Sequence, residues 1–380
     1  MSRKTIKYIG FYDFSNSSSM RVCSLAATNK MDYIASSLVK AGYKVQFISP
    51  SWTANCKGWY KKRTSDIANG ITLTVGPTFG ANDWIMRKFR IGWSWLWLFC
   101  YLVCNVKRGE KVLAYHSLMM DFPLYCAKLI KRFKLVLEVE EIYGKVWGNK
   151  NILNIMETKL INSADDYILV SDLLAKTLKI TKYVRLYGGY PQIAGETTCY
   201  NQNGHVNIVY AGSIDTTKGG ASNIVKAAKY LNKNYIIHIL GFGNKEQIRE
   251  LEQQIVRINN NLKREACLYH GIKTGRELTK FLHLCQIGVN SQVIGDYMNT
   301  AFPSKVLTYL SHNLKVVSTP VKSILQSTLS DMINFADSDT PEAIAKAIMA
   351  IAFNKPYDST KRIKELDEQF VIDIKTMLEE

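Results

Sequence analysis

The sequence predicts an α/β protein of two tandem Rossmann-like domains, whose parallel sheets face each other across a cleft. Three observations predict this fold class. The chain has 380 residues, about twice the usual domain length. Strand-like and helical segments alternate through both halves, which favours parallel strands with right-handed helical crossovers. Residues 187–204, rich in Gly, Asn and Thr, have the composition of a linker. We therefore expect a first domain at 1–195 and a second at 196–357.

The first half contains six strand-like stretches with helical stretches between several of them. The strands are expected at 4–14, 44–49, 71–76, 111–117, 134–140 and 166–171, and the helices at 25–41, 121–132 and 152–163. Gly42 follows the first helix, where a C-terminal cap is common. Ligands collect at the carboxyl ends of strands in open parallel sheets. This rule nominates Ser49, His116, Glu140, Glu141 and Ser171.

The second half repeats the scheme. Strands are expected at 206–212, 235–241, 267–271, 287–291, 314–319 and 333–336, with helices at 221–232, 245–257, 275–284, 304–311 and 341–352. The same rule about strand ends nominates Ser213, Gly241, Gly243, Gly271, Ser291 and Thr319.

The positive charge is concentrated in the first third of the chain. The formal net charge is +17, and residues 1–132 carry 20 Lys and Arg against 6 Asp and Glu. Such an excess suggests a surface that meets an anionic partner. No nucleic-acid-binding motif is present, so we expect a phospholipid or a lipid phosphate rather than a nucleic acid.

The chain begins with a short basic lead and a strand-like stretch, without the apolar region of a signal peptide. Its eight cysteines form no CxxC pair and no spacing typical of zinc sites. We therefore expect a cytoplasmic protein with free thiols, no metal site and no cofactor.

The segment at 84–109 allows two interpretations. Its uncharged part, residues 91–106, is shorter than the ~20 residues that span a bilayer. Four tryptophans with flanking Lys and Arg suit the membrane interface, so one interpretation is peripheral attachment to the inner face of the cell membrane. The alternative is a helix buried in the first domain.

Two segments of the second half combine small residues with a lysine. In VYAGSIDTTKGG (209–220), a strand ends at Gly212 and Ser213, and Lys218 precedes a helix. Small residues let the backbone approach a phosphate, and a lysine supplies charge. An ordinary strand–loop–helix joint has the same composition. The segment is not a GxxxxGK[ST] loop, and GFG at 241–243 is too short for GxGxxG.

The other segment, NTAFPSKVLTYL (299–310), predicts a helix whose first turn holds Pro303, Ser304 and Lys305. Free backbone N–H groups at a helix start attract anions, and the lysine strengthens this attraction. The alternative is a capped helix with a solvated lysine.

Together, YAGS…KGG, ILGFG, LYHG, IGVNS and AFPSKVLTYLSHNLKVVSTP resemble the donor-binding half of family 4 of the retaining glycosyltransferases, over roughly residues 205–335. The first half is similar mainly in its order of elements. The resemblance implies the GT-B architecture and a C-terminal helix (358–380) that returns to the first domain. It also implies transfer of a sugar from a nucleotide-diphosphate donor, with retention and without a metal ion.

The resemblance also implies roles for particular residues. Lys218 matches a lysine that contacts the donor diphosphate, Ile272 matches a residue that lies against the base, and Phe302 to Lys305 match a segment that cradles phosphates. His116 matches the active-site histidine in location, where a neutral imidazole could donate to the sugar; a structural histidine is the alternative. The candidate catalytic residues are His116, Lys218 and Lys305. The candidate donor-binding residues are Gly212, Ser213, Gly241, Gly243, Gly271, Ile272, Phe302, Pro303, Ser304 and Thr308.

The sequence departs from the family at two places. The usual Glu-x7-Glu pair is replaced by Thr300 and Thr308, with Asp296 out of register, and SNSSS (15–19) replaces a Gly-rich loop. We expect a transferase that acts on a lipid-linked or oligosaccharide acceptor in surface-polysaccharide assembly. The alternative is a non-catalytic subunit that keeps the fold and assists a partner transferase. The donor base, the sugar and the linkage do not follow from the sequence.

Overall fold

The structure is a computed structural model that describes residues 4–13, 19–143, 152–190, 204–215, 219–295, 300–355 and 357–380. The chain divides into two units. Unit 1 comprises Met1–Val170, Leu174–Gly189 and Glu368–Glu380, and unit 2 comprises Ser171–Leu173 and Tyr190–Asp367. Each unit has its own sheet, which is largely parallel in unit 1 and parallel throughout in unit 2. The fold class predicted from the alternating segments is thus confirmed for both halves.

The strands of unit 1 are β1 (Thr5–Ile9), β2 (Lys44–Ser49), β3 (Trp59–Tyr60), β4 (Arg63–Ala68), β5 (Ile71–Val75), β6 (Thr78–Phe79), β7 (Lys111–Tyr115), β8 (Lys134–Val139), β9 (Asp166–Leu169) and β10 (Val184–Arg185). The helices in the same part of the chain are α1 (Leu25–Lys40), α2 (Trp84–Asn105), α3 (Leu118–Lys131), α4 (Ile152–Ser163) and α5 (Asp172–Leu178).

The main sheet of unit 1 has the order β10-β9-β8-β7-β1-β2-β5-β4. Strands β1 and β7 pair in parallel, and successive strands are added on one side of this pair and then on the other. The sheet therefore has a switch point between β1 and β7. Only β4 runs antiparallel within this sheet, against β5. Strand β4 was missed in the sequence because it is an edge strand, and its residues are exposed or half-buried rather than apolar.

Helix α3 shows how a sequence irregularity is accommodated. Pro123 lies inside the helix and has no N–H to donate to the carbonyl of Met119, four residues earlier. The indole Nε1 of Trp95, on α2, donates to this carbonyl oxygen at 2.6 Å. The proline therefore leaves no unsatisfied carbonyl there, and the hydrogen bond ties α2 to α3.

Unit 2 contains β11 (Val206–Ser213), β12 (Tyr235–Phe242), β13 (Cys267–Tyr269), β14 (Ile287–Asn290), β15 (Lys315–Ser318) and β16 (Ile333–Phe335). Its helices are α6 (Gly220–Ala227), α7 (Lys245–Leu262), α8 (Gly275–Leu282), α9 (Ser304–Ser311), α10 (Lys322–Leu325) and α11 (Pro341–Met349). The strand order is β13-β12-β11-β14-β15-β16, with every neighbouring pair parallel. This is the Rossmann order, with its switch point between β11 and β14.

Helix α9 packs directly on β14 because Gly288 leaves room for Tyr309. A Cβ on Gly288 would lie 2.2 Å from the Cγ atom of Tyr309, so no larger residue fits there. The Tyr309 hydroxyl also accepts a hydrogen bond of 2.8 Å from the backbone N–H of Ala211 on β11. These contacts fix α9 against the two strands that flank the switch point.

Helix α12 (Ser359–Glu379) is the last element, and its C-terminal part belongs to unit 1. There the ring of Phe370 lies 5.6 Å from that of Tyr33 on α1. The ammonium group of Lys111 donates to the carbonyl oxygen of Met377. Apolar and polar contacts thus hold the C-terminal turns in unit 1.

Candidate functional site

The carboxyl ends of β11 and β12 bring several candidate donor-binding residues together. In the parallel register, Gly212 lies opposite Gly241 and Ser213 opposite Phe242. A Cβ on Gly241 would lie 1.8 Å from the carbonyl oxygen of Gly212. Because this oxygen is backbone, a side chain at position 241 would force the strands apart. The two glycines therefore bring the strand ends close together, with Gly212 half-buried and Gly241 buried.

The adjacent end of β13 carries the next two candidates. Gly271 has φ +69°, a left-handed conformation that favours glycine, and its carbonyl oxygen accepts a hydrogen bond of 2.9 Å from the N–H of Gly241. Ile272 follows with 57% of its surface exposed, and Phe242 is equally exposed. Phe242 was not among the predicted site residues, although it lies between Gly241 and Gly243 in the motif. Both apolar side chains are available to a planar ligand.

The start of α9 places Lys305 at the end of β11. Its Nζ atom lies 4.2 Å from the ring centroid of Tyr210 and 3.2 Å from the position that a Cβ on Gly212 would take. Thus Lys305 and Gly212, 93 positions apart, share one site. The tyrosine face attracts the ammonium group and holds it beside the strand end. Tyr210 was not predicted, although it belongs to VYAGS.

The other candidates on this segment differ in accessibility. Phe302 and Pro303 are buried, whereas Ser304 is exposed at the first turn of α9. Thr308 lies one turn further along, and its hydroxyl donates to the carbonyl oxygen of Ser304 at 3.4 Å. Ser304 and Lys305 thus lie in the first turn of α9, where a helix attracts anions, while Thr308 bonds within its own helix.

Lys218 lies outside the described residues, as do Asp296 and most of the SNSSS stretch. The helix after Lys218 begins at Gly220, one residue before the expected start at 221. A Cβ on Gly220 would lie 2.7 Å from the Tyr210 hydroxyl, and Gly219 has φ +64°. These glycines let α6 start close to the end of β11.

The end of β14 carries buried polar side chains on the other side of the switch point. Asn290 donates from Nδ2 to Ser318 Oγ at 3.0 Å, and the Ser291 hydroxyl donates to the carbonyl oxygen of Gly220 at 2.6 Å. Ser291 was nominated from the sequence, but Asn290 was not. Ser291 therefore holds the start of α6, which is a structural contribution to the site.

His116 lies at the end of β7 in unit 1, as expected, and is almost completely buried. Its Nε2 atom is 3.4 Å from Asp121 Oδ2 and 3.5 Å from Glu157 Oε1. Burial alone would lower the pKa of His116, but Asp121 and Glu157 outweigh this effect and raise the pKa above its usual value. The geometry therefore favours a charged imidazolium, in contrast to the neutral imidazole expected from the resemblance. A catalytic role for His116 stays a prediction.

Helix α2, from the 84–109 segment, has one buried face and one exposed face. One face is buried against unit 1, through Arg90, Ser94, Leu98, Tyr101 and Leu102. The opposite face, which we call the outer face of α2, exposes Trp84, Ile85, Phe89, Trp93 and Leu96. Lys88 lies over the Trp84 ring at 4.5 Å. Among the described residues, no helix is both long and apolar enough to cross a membrane.

No group of three or more His, Cys, Asp or Glu side chains within the described ranges has an arrangement that could hold a metal ion. The cysteines described there are free thiols: Cys23, Cys56, Cys100, Cys104, Cys126, Cys267 and Cys285.

Comparison with known proteins agrees with the geometry. Residues 205–354 match the family model described as glycosyl transferases group 1, which covers unit 2 and its strand-end site. Together with the two Rossmann-like sheets, this match supports a glycosyltransferase of the GT-B fold. The search of curated proteins found no significant match.

Solved structures with the same fold extend over the whole chain. Sucrose-phosphate synthase from Thermosynechococcus elongatus has a TM-score of 0.70 at 11% identity, covering 99% of this chain and 98% of that one. A trehalose-6-phosphate structure from E. coli, bound with UDP-2-fluoro glucose, has a TM-score of 0.63 at 10% identity, covering 97% and 96%. The α,α-trehalose 6-phosphate synthase of Burkholderia multivorans has a TM-score of 0.61 at 12% identity, covering 98% and 93%.

Proposed function

We propose that this protein transfers a sugar from a nucleotide-diphosphate donor, bound at the strand ends of unit 2, to a hydroxyl group of a glycan or lipid-linked acceptor bound by unit 1. The observation that carries the proposal is the position of Lys305. Its ammonium group lies beside Gly212 at the end of β11, where a Rossmann sheet binds phosphate. The family match over residues 205–354 supports the same assignment.

The donor diphosphate requires positive charge at this edge. It carries at least two negative charges, and each helix N-terminus supplies only about half a unit of positive charge. Lys305 and Lys218 supply the remainder in this proposal, with no metal ion taking part. The exposed side chains of Ile272 and Phe242 are positioned to contact the base. Because the E. coli structure holds UDP-2-fluoro glucose, a UDP-sugar is the first donor to test.

The reaction proposed is front-side displacement with retention. The bond between the anomeric carbon and the diphosphate oxygen breaks, and the acceptor oxygen bonds to the same face of the sugar. The acceptor proton passes to the departing diphosphate. Negative charge therefore develops on the diphosphate, where Lys218, Lys305 and the start of α9 stabilise it. Such preorganised electrostatic stabilisation is usually the largest contribution to catalysis.

A thermal-shift panel tests the donor site. UDP, GDP, TDP, ADP and CMP are added to the full chain, with and without EDTA. A nucleotide at about 100 times its dissociation constant should stabilise the protein by ~2.7 kcal/mol, and EDTA should change nothing. Replacing both Lys218 and Lys305 should weaken binding by less than the sum of the single effects if both hold one diphosphate. Absence of stabilisation by every nucleotide would contradict the proposed donor site.

We also propose that the outer face of α2 attaches the protein to the cytoplasmic face of the cell membrane, where the acceptor is a polyprenyl-diphosphate-linked glycan of surface-polysaccharide assembly. Two features support this. Large apolar side chains are exposed along the helix, and the exposed cations Arg87 and Lys88 lie on the same helix. Apolar side chains with interspersed cations suit an anionic interface.

Liposome binding tests the membrane proposal. Binding should rise with the fraction of anionic lipid and fall with added salt, because exposed charges are screened beyond ~8 Å at physiological ionic strength. Replacing Trp84 and Phe89 with serine should weaken binding further. The matched control replaces Tyr230 and Val256, which are also exposed but lie on unit 2. Equal binding to neutral vesicles, or none to either kind, would contradict a membrane role.

The second candidate function is a non-catalytic subunit. It is favoured by Thr308, which takes the place of a family carboxylate and whose hydroxyl bonds to its own helix. Purified protein should then bind nucleotide but neither hydrolyse nor transfer the sugar of a bound donor. Release of UDP from a UDP-sugar, measured with and without membrane extract as acceptor, separates the two candidates.

A further inference from the structure

The carboxyl edge of the unit 1 sheet is acidic, although the first part of this unit is strongly basic. We call this edge the acidic band. The band comprises the carboxyl groups of Asp121, Glu138, Glu140, Glu141 and Glu157 and the cations Lys30 and His116. Asp13, Arg21 and Arg63 form a separate charged group after β1. Residues 1–132, by contrast, carry 20 basic and 6 acidic side chains. The band lies at the switch point beside β1 and β7, where Rossmann sheets bind ligands.

One half of the band is a buried network around Lys30. Its ammonium group lies 2.7 Å from Glu140 Oε1 and 3.4 Å from Glu138 Oε1. Tyr115 donates to Glu140 at 2.7 Å, and Tyr8 donates to Glu138. Lys30 and Glu138 are inaccessible, whereas 29% of the Glu140 side chain is exposed. The network therefore presents one carboxylate to solvent on a rigid support.

The charge of that carboxylate follows from its neighbours. Burial alone would raise the pKa of Glu140, but Lys30 and Tyr115 outweigh burial and lower it below its usual value. Burial raises the pKa of Glu138, and Lys30 only partly opposes this. Glu140 is thus ionised at neutral pH, with a fixed orientation.

The other half of the band surrounds His116. Both oxygens of Asp121 and the Nδ1 atom of His116 are buried and have no hydrogen-bond partner within the described residues. The ring of Tyr143 lies 5.4 Å from that of His116, and the Tyr143 N–H donates to Glu157 Oε1 at 2.7 Å. His116 and Asp121 face each other and both are buried, so this half of the band contributes negative charge to the edge rather than a direct ligand contact.

The chemistry of this edge selects among ligands. Carboxylates accept hydrogen bonds from hydroxyl and ammonium groups, whereas a phosphate would be repelled by an excess of negative charge. Desolvated charges are expensive to bury and are more common at functional sites than elsewhere. A purely structural contact between α1 and β8 would not require an ionised, accessible Glu140.

We propose that the acidic band binds the hydroxyl or amino groups of an uncharged or amino sugar at the reacting end of the acceptor, and rejects a sugar phosphate at that position. Glu140 accepts from the sugar, and Lys30 and Tyr115 are its positioning residues. This inference rests on the proposed function and deepens it by naming the acceptor class.

Ligand-observed NMR on the full chain tests the inference with three probes: glucose, glucosamine and glucose 6-phosphate. Glucose and glucosamine should bind at least tenfold more tightly than glucose 6-phosphate. The variant Glu140→Gln should weaken glucosamine binding about tenfold, as loss of a charge-assisted hydrogen bond predicts. Asp66→Asn is the matched control, because Asp66 is an exposed carboxylate on β4, at the far edge of the sheet. It should bind all three probes as the wild type does.

Tryptophan fluorescence checks that Glu140→Gln folds; if it does not, Glu141→Gln replaces it. The inference is overturned if glucose 6-phosphate binds more tightly than glucose. It is also overturned if none of the three probes binds, or if the Glu variants bind glucosamine as tightly as the wild type does. The nucleotide panel is independent of these outcomes. If the protein binds a nucleotide but prefers glucose 6-phosphate to glucose and glucosamine, only the acceptor class is refuted. If it binds no nucleotide, the proposed function is refuted.

Discussion

Replacing Lys305 with alanine removes a cation from the donor edge of unit 2. The Lys305 ammonium group lies 4.2 Å from the Tyr210 ring centroid and beside Gly212, where the proposed diphosphate binds. A charge-assisted hydrogen bond contributes ~1.5–3 kcal/mol. Lys305→Ala is therefore expected to weaken nucleotide binding roughly 10- to 150-fold. Isothermal titration with the nucleoside diphosphate selected by the thermal-shift panel, in the presence of EDTA, measures this change.

Lys315 provides a matched control for the loss of a lysine–tyrosine contact. Its ammonium group lies 4.1 Å from the ring centroid of Tyr357, so Lys315→Ala loses a similar cation–π contact in the same unit. Lys315 is, however, the first residue of β15 and therefore lies at the amino edge of the parallel sheet. Its replacement should change the dissociation constant by less than about twofold.

A donor site at Lys305 is refuted if Lys305→Ala binds the nucleotide as the wild type does. It is also refuted if Lys315→Ala weakens binding as strongly, because the effect would then come from general loss of stability rather than from the donor edge.

Three predictions concern stability. Lys30→Met should destabilise unit 1 by ~3–5 kcal/mol, because Glu138 would keep a buried carboxyl group without its cation. Burial and His270 lower the pKa of His238 to about 4. Unit 2 therefore has its full stability with respect to this group above pH ~6.5, where His238 is neutral. Up to about 3 kcal/mol of the free energy of unfolding is lost as the pH falls toward 4, because the unfolded state binds the proton first. Gly241→Ala should destabilise unit 2 by at least ~1–3 kcal/mol, because its Cβ would meet a backbone oxygen.

Each prediction has its own measurement. All seven tryptophans lie before residue 170, so tryptophan fluorescence during urea unfolding reports on unit 1. The double variant Lys30→Met/Glu138→Gln should recover part of the stability that Lys30→Met loses. Calorimetry between pH 4 and 7 follows the stability of unit 2. In the variant His238→Gln this stability should depend less on pH. Gly92→Ala, with nothing within 4 Å of its new methyl group, should be tolerated. Unchanged stability of Lys30→Met, or a steep acid loss that survives in His238→Gln, would contradict these explanations.

The sequence alone determined the alternation of strands and helices, because hydrophobic periodicity is a local property. It also proposed the candidate donor residues, since Gly212, Gly241 and Gly271 each lie at or just after the end of a recognisable strand. Helix α9 begins at Ser304, as expected from Pro303 at its start. The prediction for each of these residues depended only on its neighbours along the chain.

Only the tertiary structure decided which distant residues meet. Strand order places Gly212 beside Lys305, and it brings Lys30 of α1 to Glu138 and Glu140 at the end of β8. No local pattern encodes these pairings, because parallel strands choose their neighbours through packing of residues far apart in sequence. The same holds for α2: its composition allowed either burial or exposure, and packing against unit 1 buried one face and left the other exposed.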